Sequence, residues 1–507
     1  MKNSLFLFIS ILFYSAVFSQ QITYTQPESQ DSRSLDFQIV GKIGDNFLIY
    51  KNIRNSFAIC SYDNSMRLVD RVPLTTIMPS NTLNVDFVAY PDFAYMIYQY
   101  QKRNILYCMA VKLNAEGKLL TDPVELDTTH VNFLANNKIY SMVNSEDKSK
   151  IMIYKIQRKN GTMNFTTILF NDSLQLLHQS KIESNFDDRK DLFSDFFVDN
   201  EGNFVFTKGN RSSARDFITD LFLIQKRVAA DTFDFKSFDL AGNYLDAINL
   251  KVDNQNAHYV LTSLYYLKKR GNVEGIYSGV VEINSGNIVS QHFESIADSI
   301  RSMVKVNGNN KSALNDFFIR NIYLKKDGGF ILTAEDFYSQ SRTGPWNRYD
   351  YLYGNPSFSP YNYYNMYGGG LYGGGYPYFN SMGGGGQRYY YNNILVLNMD
   401  KTGVPDWASV VNKTQFDDQT DNFLSYAVTL TGGELHFLYN TPERRSLLLV
   451  DQSVSGSGKV TLNPPFKNMD RGYEFMPRYG KQVSASQIII PCTYRNYICF
   501  AKIEFPY

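Results

Sequence analysis

An acid or amide, followed in seven of eight cases by Phe, recurs along the chain at Asp36, Asp86, Asn132, Asp195, Asp246, Asp316, Asn422 and Glu474, with Ala247 the one exception to Phe. If a fold brought these positions together, their six carboxylates would repel one another unless cations or hydrogen-bond donors met them. Such a ring could hold a calcium-like ion or a cationic ligand group through oxygen ligands. The same residue types also cap turns by accepting backbone N–H bonds. A glycosidase needs only two carboxyls at a suitable separation. Other chemistry is poorly supported. The five His residues form no HExxH or i,i+4 pair, and no GxSxG, Walker A or GxGxxG fingerprint occurs. No catalytic residue is assigned, and any metal beyond calcium is left open.

Each motif opens a run of strand-like segments. Second apolar runs follow, such as FLIYKN, YMIYQY and FILTAED, then third runs such as FAICSYD, ILVLNMD and ICFAKIEF. Seven repeats add a fourth, such as RLVDRVPL. Turn clusters DNEG, KKDGG and TGGE separate the first two strands, and NAEG, NSGN and DKTG the last two. Four-stranded antiparallel repeats of this kind predict an all-β fold, a single β-propeller of eight blades, with seven the alternative count. The eighth repeat lacks a fourth strand, while QITYTQP stands alone before the first. Closure of the last blade by that N-terminal strand would remove the exposed edges. Runs such as Ile488-Ile489-Ile490, apolar on both faces, argue against an outer-membrane barrel, whose strands alternate.

The segments DFFIRNIYLKKDGGFILTAEDFY and GYEFMPRYGKQV…IIIPCTYRNYICFAKIEF, with the Tyr/Gly-rich stretch between them, resemble uncharacterised secreted proteins of Bacteroidota-type bacteria. The resemblance implies an envelope setting and no catalytic residues.

The start, MKNSLFLFISILFYSAVFSQQ, has a basic n-region, an apolar h-region and small residues before Gln20. It reads as a signal peptide over 1–19, leaving 20–507 as the propeller domain. No later stretch is long and apolar enough to span a membrane. Export to the periplasm, the outer-membrane periphery or the exterior permits disulfides. Cys492 and Cys499 flank a two-residue Arg495-Asn496 turn and face each other, as a disulfide or as two buried thiols. Cys60 and Cys108 read as core residues. With 50 Lys+Arg against 49 Asp+Glu, the chain has no global field for nucleic acid.

Residues 344–391 hold 12 Gly and 13 Tyr, with only Arg348, Asp350 and Arg388 charged. This reads as a flexible exposed insertion between the second and third strands of the sixth blade. Its Tyr residues suit a contact arm, since Tyr gives large area at low rotamer cost. Loops between second and third strands carry Arg54, Lys102, Arg103, Lys148, Lys150, Arg211, Arg215, Lys268, Lys269, Arg270, Arg444, Arg445 and Arg495. They would ring one face with positive charge, partly offset by Asp187-Asp188 and Asp417-Asp418, and suit an anionic glycan or acidic partner. The leading expectation is a non-enzymatic binding or scaffold propeller of the cell envelope, taking a protein or glycan partner on its long-loop face. The alternative is a polysaccharide hydrolase or lyase using carboxylates at the channel mouth. Oligomeric state is not legible.

Overall fold

Short β-branched and aromatic runs separated by tight turns leave little choice but hairpins, and a computed structural model shows them. It describes residues 20–28, 35–53, 56–131, 139–159, 162–187, 190–213, 216–305, 309–341, 348, 352, 387–418, 420–443, 446–466, 469–470 and 472–506. The described residues form seven antiparallel sheets, and the nine-stranded one consists of two four-stranded units joined by Tyr244–Leu245. Eight units therefore follow one another along the chain.

The first unit is Leu35–Ile43, Asn46–Ile53, Ser56–Tyr62 and Leu68–Pro73. The second runs Thr82–Ala89, Ala94–Lys102, Ile105–Leu113 and Val124–His130. The joined pair comprises Asp191–Val198, Phe204–Arg211, Ile218–Lys226 and Asp234–Phe238, then Asn249–Asp253, His258–Tyr266, Gly275–Glu282 and Ile288–Ser295. The sixth is Phe317–Leu324, Phe330–Ser341, Gln387–Met399 and Pro405–Val411, and the seventh Tyr426–Thr431, Glu434–Glu443, Ser446–Val454 and Val460–Leu462. In the last unit Tyr473–Phe475 and Lys481–Ser484 both pair with Gln487–Tyr494, followed by Tyr497–Glu504. Gln21–Tyr24 then adds to Tyr497–Glu504 in the register Ile22↔Ile503, the N-terminal strand completing the C-terminal sheet.

The third unit departs from expectation. Its first strand is Tyr140–Asn144, which the sequence suggests as a second strand, followed by Lys150–Lys159, Thr162–Asn171 and Leu176–Ser184. The expected opener Asn132-Phe133 lies outside the described residues. Asp147 accepts the Ser145 hydroxyl and the Ser149 N–H, fixing a tight turn between the first two strands. Lys148 therefore sits in that turn and Lys150 opens the second strand, at the end opposite the expected loop.

Burial explains the order. Ile488, Ile489 and Ile490 are all fully buried, so that strand is apolar on both faces because a sheet covers each. Outer strands such as Leu68–Pro73 are largely exposed. Apolar clusters join neighbouring units in chain order, and one joins Phe37, Ile39 and Ile49 of the first unit to Met476, Ile489 and Phe500 of the eighth. Gly117 and Gly403 end the NAEG and DKTG turns at φ +81° and +86°. A Cβ on either would lie 2.5 Å from Ile59 or Ser278, on the third strand of the preceding unit. Only Gly meets both the left-handed backbone and the close approach.

The Cys492↔Cys499 register is as expected, across a turn whose Arg495 and Asn496 both have positive φ. Both cysteines are free thiols here, buried, with their sulfurs 3.0 Å apart. Burial pushes the Cys492 thiol well above its ordinary range.

Candidate functional site

The opening residues stand at different levels of their strands. Asp246, Asp316 and Asn422 precede the first strands of their units, Asp36 is second in Leu35–Ile43, and Asp86 and Asp195 lie inside theirs. Asn132 is outside the described residues. Several are met by donors, from the same strand or from the next unit. Asp86 accepts from Asn84 at 2.6 Å. Asp195, held at φ +54° where the strand bulges, accepts the Leu250 N–H at 2.7 Å. Asn422 accepts the Tyr479 hydroxyl at 3.0 Å, and Glu474 is exposed opposite Thr493. Burial pushes the Asp36 carboxyl up to about 7 and that of Asp195 up to about 6. Among the described residues, no group of three or more His, Cys, Asp or Glu is placed to hold a metal ion.

The basic loops assemble only in part. Lys102, Arg103, Lys268, Lys269 and Arg270 are exposed, and Lys269 pairs with Asp216 at 2.9 Å. Arg211 is buried. Arg54, Arg215, Arg444 and Arg445 lie outside the described residues.

The richest polar chemistry lies where the sixth unit meets the seventh, and the repeat motif gave no sign of it. Glu335 and Lys413, both fully buried, form an ion pair at 2.8 Å. Arg320, at a bulge in the first strand, approaches Glu335 at 3.2 Å, and the Ser425 hydroxyl donates to it at 2.8 Å. Lys413 also donates to Gln415, whose amide nitrogen donates to the Asn440 carbonyl. Beside them, burial pushes the Asp336 carboxyl up to about 7, opposed by the Asn392 amide donating at 2.9 Å and reinforced by Asp316. Lys413 lowers it and Glu335 raises it.

That shift has a sign. Folded Asp336 keeps a proton that the unfolded chain releases near pH 4, so its contribution is fully present below that pH and is lost as pH rises through about 7. Asp336→Asn should therefore melt higher than the parent at pH 8 and equally at pH 3. Equal melting temperatures at both pH values would contradict this.

The insertion is built differently from a plain loop at its ends. Phe330–Ser341 and Gln387–Met399 run past the first and fourth strands of their sheet, pairing out to Ser341↔Gln387. Gln387–Tyr391, expected in the loop, is thus strand, because alternate aromatics on two strands stack across the ladder. Gln415–Asp417 adds along Tyr389–Tyr391. The three strands form a projecting arm. On one face Tyr338 stacks on Tyr390 at 4.5 Å, and Phe416, 56% exposed, follows at 6.2 Å. Arg388 lies over Phe416 and pairs with Asp418. The other face buries Tyr391 against Phe318, Phe337 and Leu424. At the arm's base Arg348, from the insertion, reaches the carboxylate of Asp246, with Nη2 at 2.8 Å and Nε at 3.0 Å. Sequence pattern places Tyr389–Tyr391 in the loop and carries no sign of the Arg348 contact.

No family model matches the chain. No curated protein matches it either. Among solved structures it is similar to prolyl oligopeptidase B from Galerina marginata, at 8% identity over 92% of this chain and 56% of that one, with a TM-score of 0.40. It is similar to the polysaccharide lyase Uly1 at 8% identity over 82% and 89%, with a TM-score of 0.40. A protein of unknown function from Bacteroides caccae aligns at 12% identity over 75% and 94%, with a TM-score of 0.27. The chain spans about half the length of the prolyl peptidases it matches. Likenesses at this level assign no chemistry to it. Among the described residues, no helix is long and apolar enough to cross a membrane, which says nothing of a β-barrel.

Proposed function

We propose that the chain is an exported, non-enzymatic binding or scaffold protein of the cell envelope, built as one closed eight-bladed propeller. It takes a protein or glycan partner on the face that carries the insertion. The ring is supported by the apolar clusters that link successive units and by the one that links the eighth to the first. The binding role rests on one observation, the projecting arm with its row of Tyr338, Tyr390 and Phe416. The arm leaves Phe416 exposed, with Tyr338 and Tyr390 half-buried beside it, apolar area of the kind that recognition surfaces use.

Alanine at Tyr338, Tyr390 and Phe416 together should lower partner capture at least tenfold on glycan arrays and in envelope extracts. The fold should survive, because these rings lie outside the apolar clusters between units. Unchanged capture of a verified partner would remove the arm from the function.

A second reading, a polysaccharide hydrolase or lyase, draws on Asp36 and Asp336. Carboxyls raised to about 7 keep a proton near neutral pH, as a general acid must. Release of reducing ends or unsaturated uronates from acidic polysaccharides by the purified chain would favour it.

A further inference from the structure

Cys492 and Cys499 face each other across the hairpin of Gln487–Tyr494 and Tyr497–Glu504, in direct register. Residues paired in this way stand about 4.5–5.5 Å apart at Cα, inside the span of roughly 4.4–6.8 Å that disulfides bridge. Their sulfurs lie 3.0 Å apart on one face of the hairpin, closer than two unbonded sulfurs pack. Neither is more than 1% exposed. The other two cysteines have no such neighbour. Cys60 stands opposite Ile49 and Arg71, and Cys108 opposite Gln99 and Asp127.

The hairpin is also a joint. Gln21–Tyr24 adds to its second strand, and Tyr473–Phe475 adds to its first, with Phe475 opposite Cys492. Tyr24 stacks on Tyr473 at 4.1 Å, and Tyr473 meets Tyr494 at 4.8 Å. These rings pack in one cluster with Ile22, Phe475 and both cysteines. The pair is thus covered once the N-terminal strand is seated, and a covered thiol is a poor nucleophile. The hairpin itself is local, closed by a two-residue turn, so its sulfurs meet before a strand from the far end of the chain arrives.

We propose that Cys492 and Cys499 are joined by a disulfide that forms while the chain folds in the presence of a disulfide oxidant, and that Gln21–Tyr24 then seals it. One cysteine thiolate attacks the oxidant's S–S bond and releases a thiol. The second attacks the mixed disulfide and releases the other. Two protein S–H bonds and one oxidant S–S bond give one protein S–S bond and two oxidant thiols, so protons and electrons balance. The bond pins the register of the strand on which Gln21–Tyr24 docks. It stands apart from the binding reading and holds whether or not the arm binds a partner.

The test refolds the full chain from urea in glutathione disulfide and reduced glutathione, alkylates the remaining thiols and digests with trypsin. Cleavage after Lys481, Arg495 and Lys502 puts the two cysteines on separate peptides, 482–495 and 496–502. These should run as one species, lighter than their sum by two hydrogens, while Cys60 and Cys108 are alkylated. Dithiothreitol should cut the bond at least tenfold faster in urea than in the native chain. Refolding without oxidant should lower the melting temperature by about 2–4 °C, and Cys492→Ala/Cys499→Ala should melt alike with and without oxidant. A Cys60→Ala/Cys108→Ala chain should give the same cross-linked species. Four alkylated thiols after oxidative refolding, or a cross-link to Cys60 or Cys108, would overturn the bond. Equal reduction rates in urea and in the native chain would overturn its sealing.

Discussion

Lys413→Met should destabilise the chain by about 3–5 kcal/mol, the usual cost of leaving one member of a buried ion pair without its partner. Glu335 is fully buried, and the substitution strips away its 2.8 Å ion pair. Arg320 and Ser425 remain, at 3.2 and 2.8 Å, and they hold the loss within that range instead of above it. The side chain of Met fits the volume, so lost packing adds little. Gln415 would also lose one of the two donors to its carbonyl oxygen, keeping the Ser425 N–H at 2.9 Å. Removing both charges with Glu335→Leu/Lys413→Met should recover most of the loss, because an apolar pair needs no compensation. Urea unfolding of the two single variants and the double gives the coupling directly. A Lys413→Met variant as stable as the parent would mean that the pair carries no such load.

Deleting residues 20–28 should have a larger effect, leaving the chain unfolded or aggregated at room temperature. Ile22 is 2% exposed, and full burial of such a side chain contributes about 1.5–3 kcal/mol. Thr25 exchanges two bonds with Phe500, its N–H donating at 2.9 Å and its hydroxyl accepting at 3.0 Å. Glu28 is the ion-pair partner of Lys51, which is 1% exposed and would keep the Tyr62 hydroxyl and the faces of Tyr62 and Phe500 but no carboxylate. Gln20 donates at 2.6 Å to Asp451, which also holds His436. Together these losses rival the whole net stability of a folded domain, about 5–15 kcal/mol. The deletion also bares Tyr497–Glu504 as an apolar edge. A synthetic peptide of residues 20–28 added in trans should restore the melting transition. A deletion that melts at the parental temperature would show that the last sheet does not need this strand.

Local pattern made much of the architecture readable, and long-range pairing hid most of the site. Turn chemistry placed Arg495-Asn496 and with it the Cys492↔Cys499 register, because a two-residue hairpin fixes which residues face each other. The unpaired QITYTQP and the missing last strand pointed to one another by simple accounting. In the third unit the turn bonds of Asp147 set a hairpin between Tyr140–Asn144 and Lys150–Lys159, which sequence pattern suggests as the second and third strands. Asp246 with Arg348, and Glu335 with Lys413, are far apart in sequence and carry no spacing signal. Charge type alone cannot name a partner across a fold. The arm was not visible: sequence pattern puts Tyr389–Tyr391 in the loop, whereas they pair with Phe337–Ser339 and with Gln415–Asp417.

The pairing of Gln21–Tyr24 with Tyr497–Glu504 also governs timing. A chain made from its N-terminus exposes this strand long before its partner, so the last sheet must wait until Tyr497–Glu504 has been made. Closing so long a loop is slow even though the entropy grows only with the logarithm of length. Until then Ile22, Phe37 and Ile39 have no cover from Ile489, Ile503 and Phe500, and the nascent chain offers sticky edges at both ends. A holding chaperone would therefore be needed most for the earliest residues. Deleting Tyr497–Glu504 should be as damaging as deleting residues 20–28.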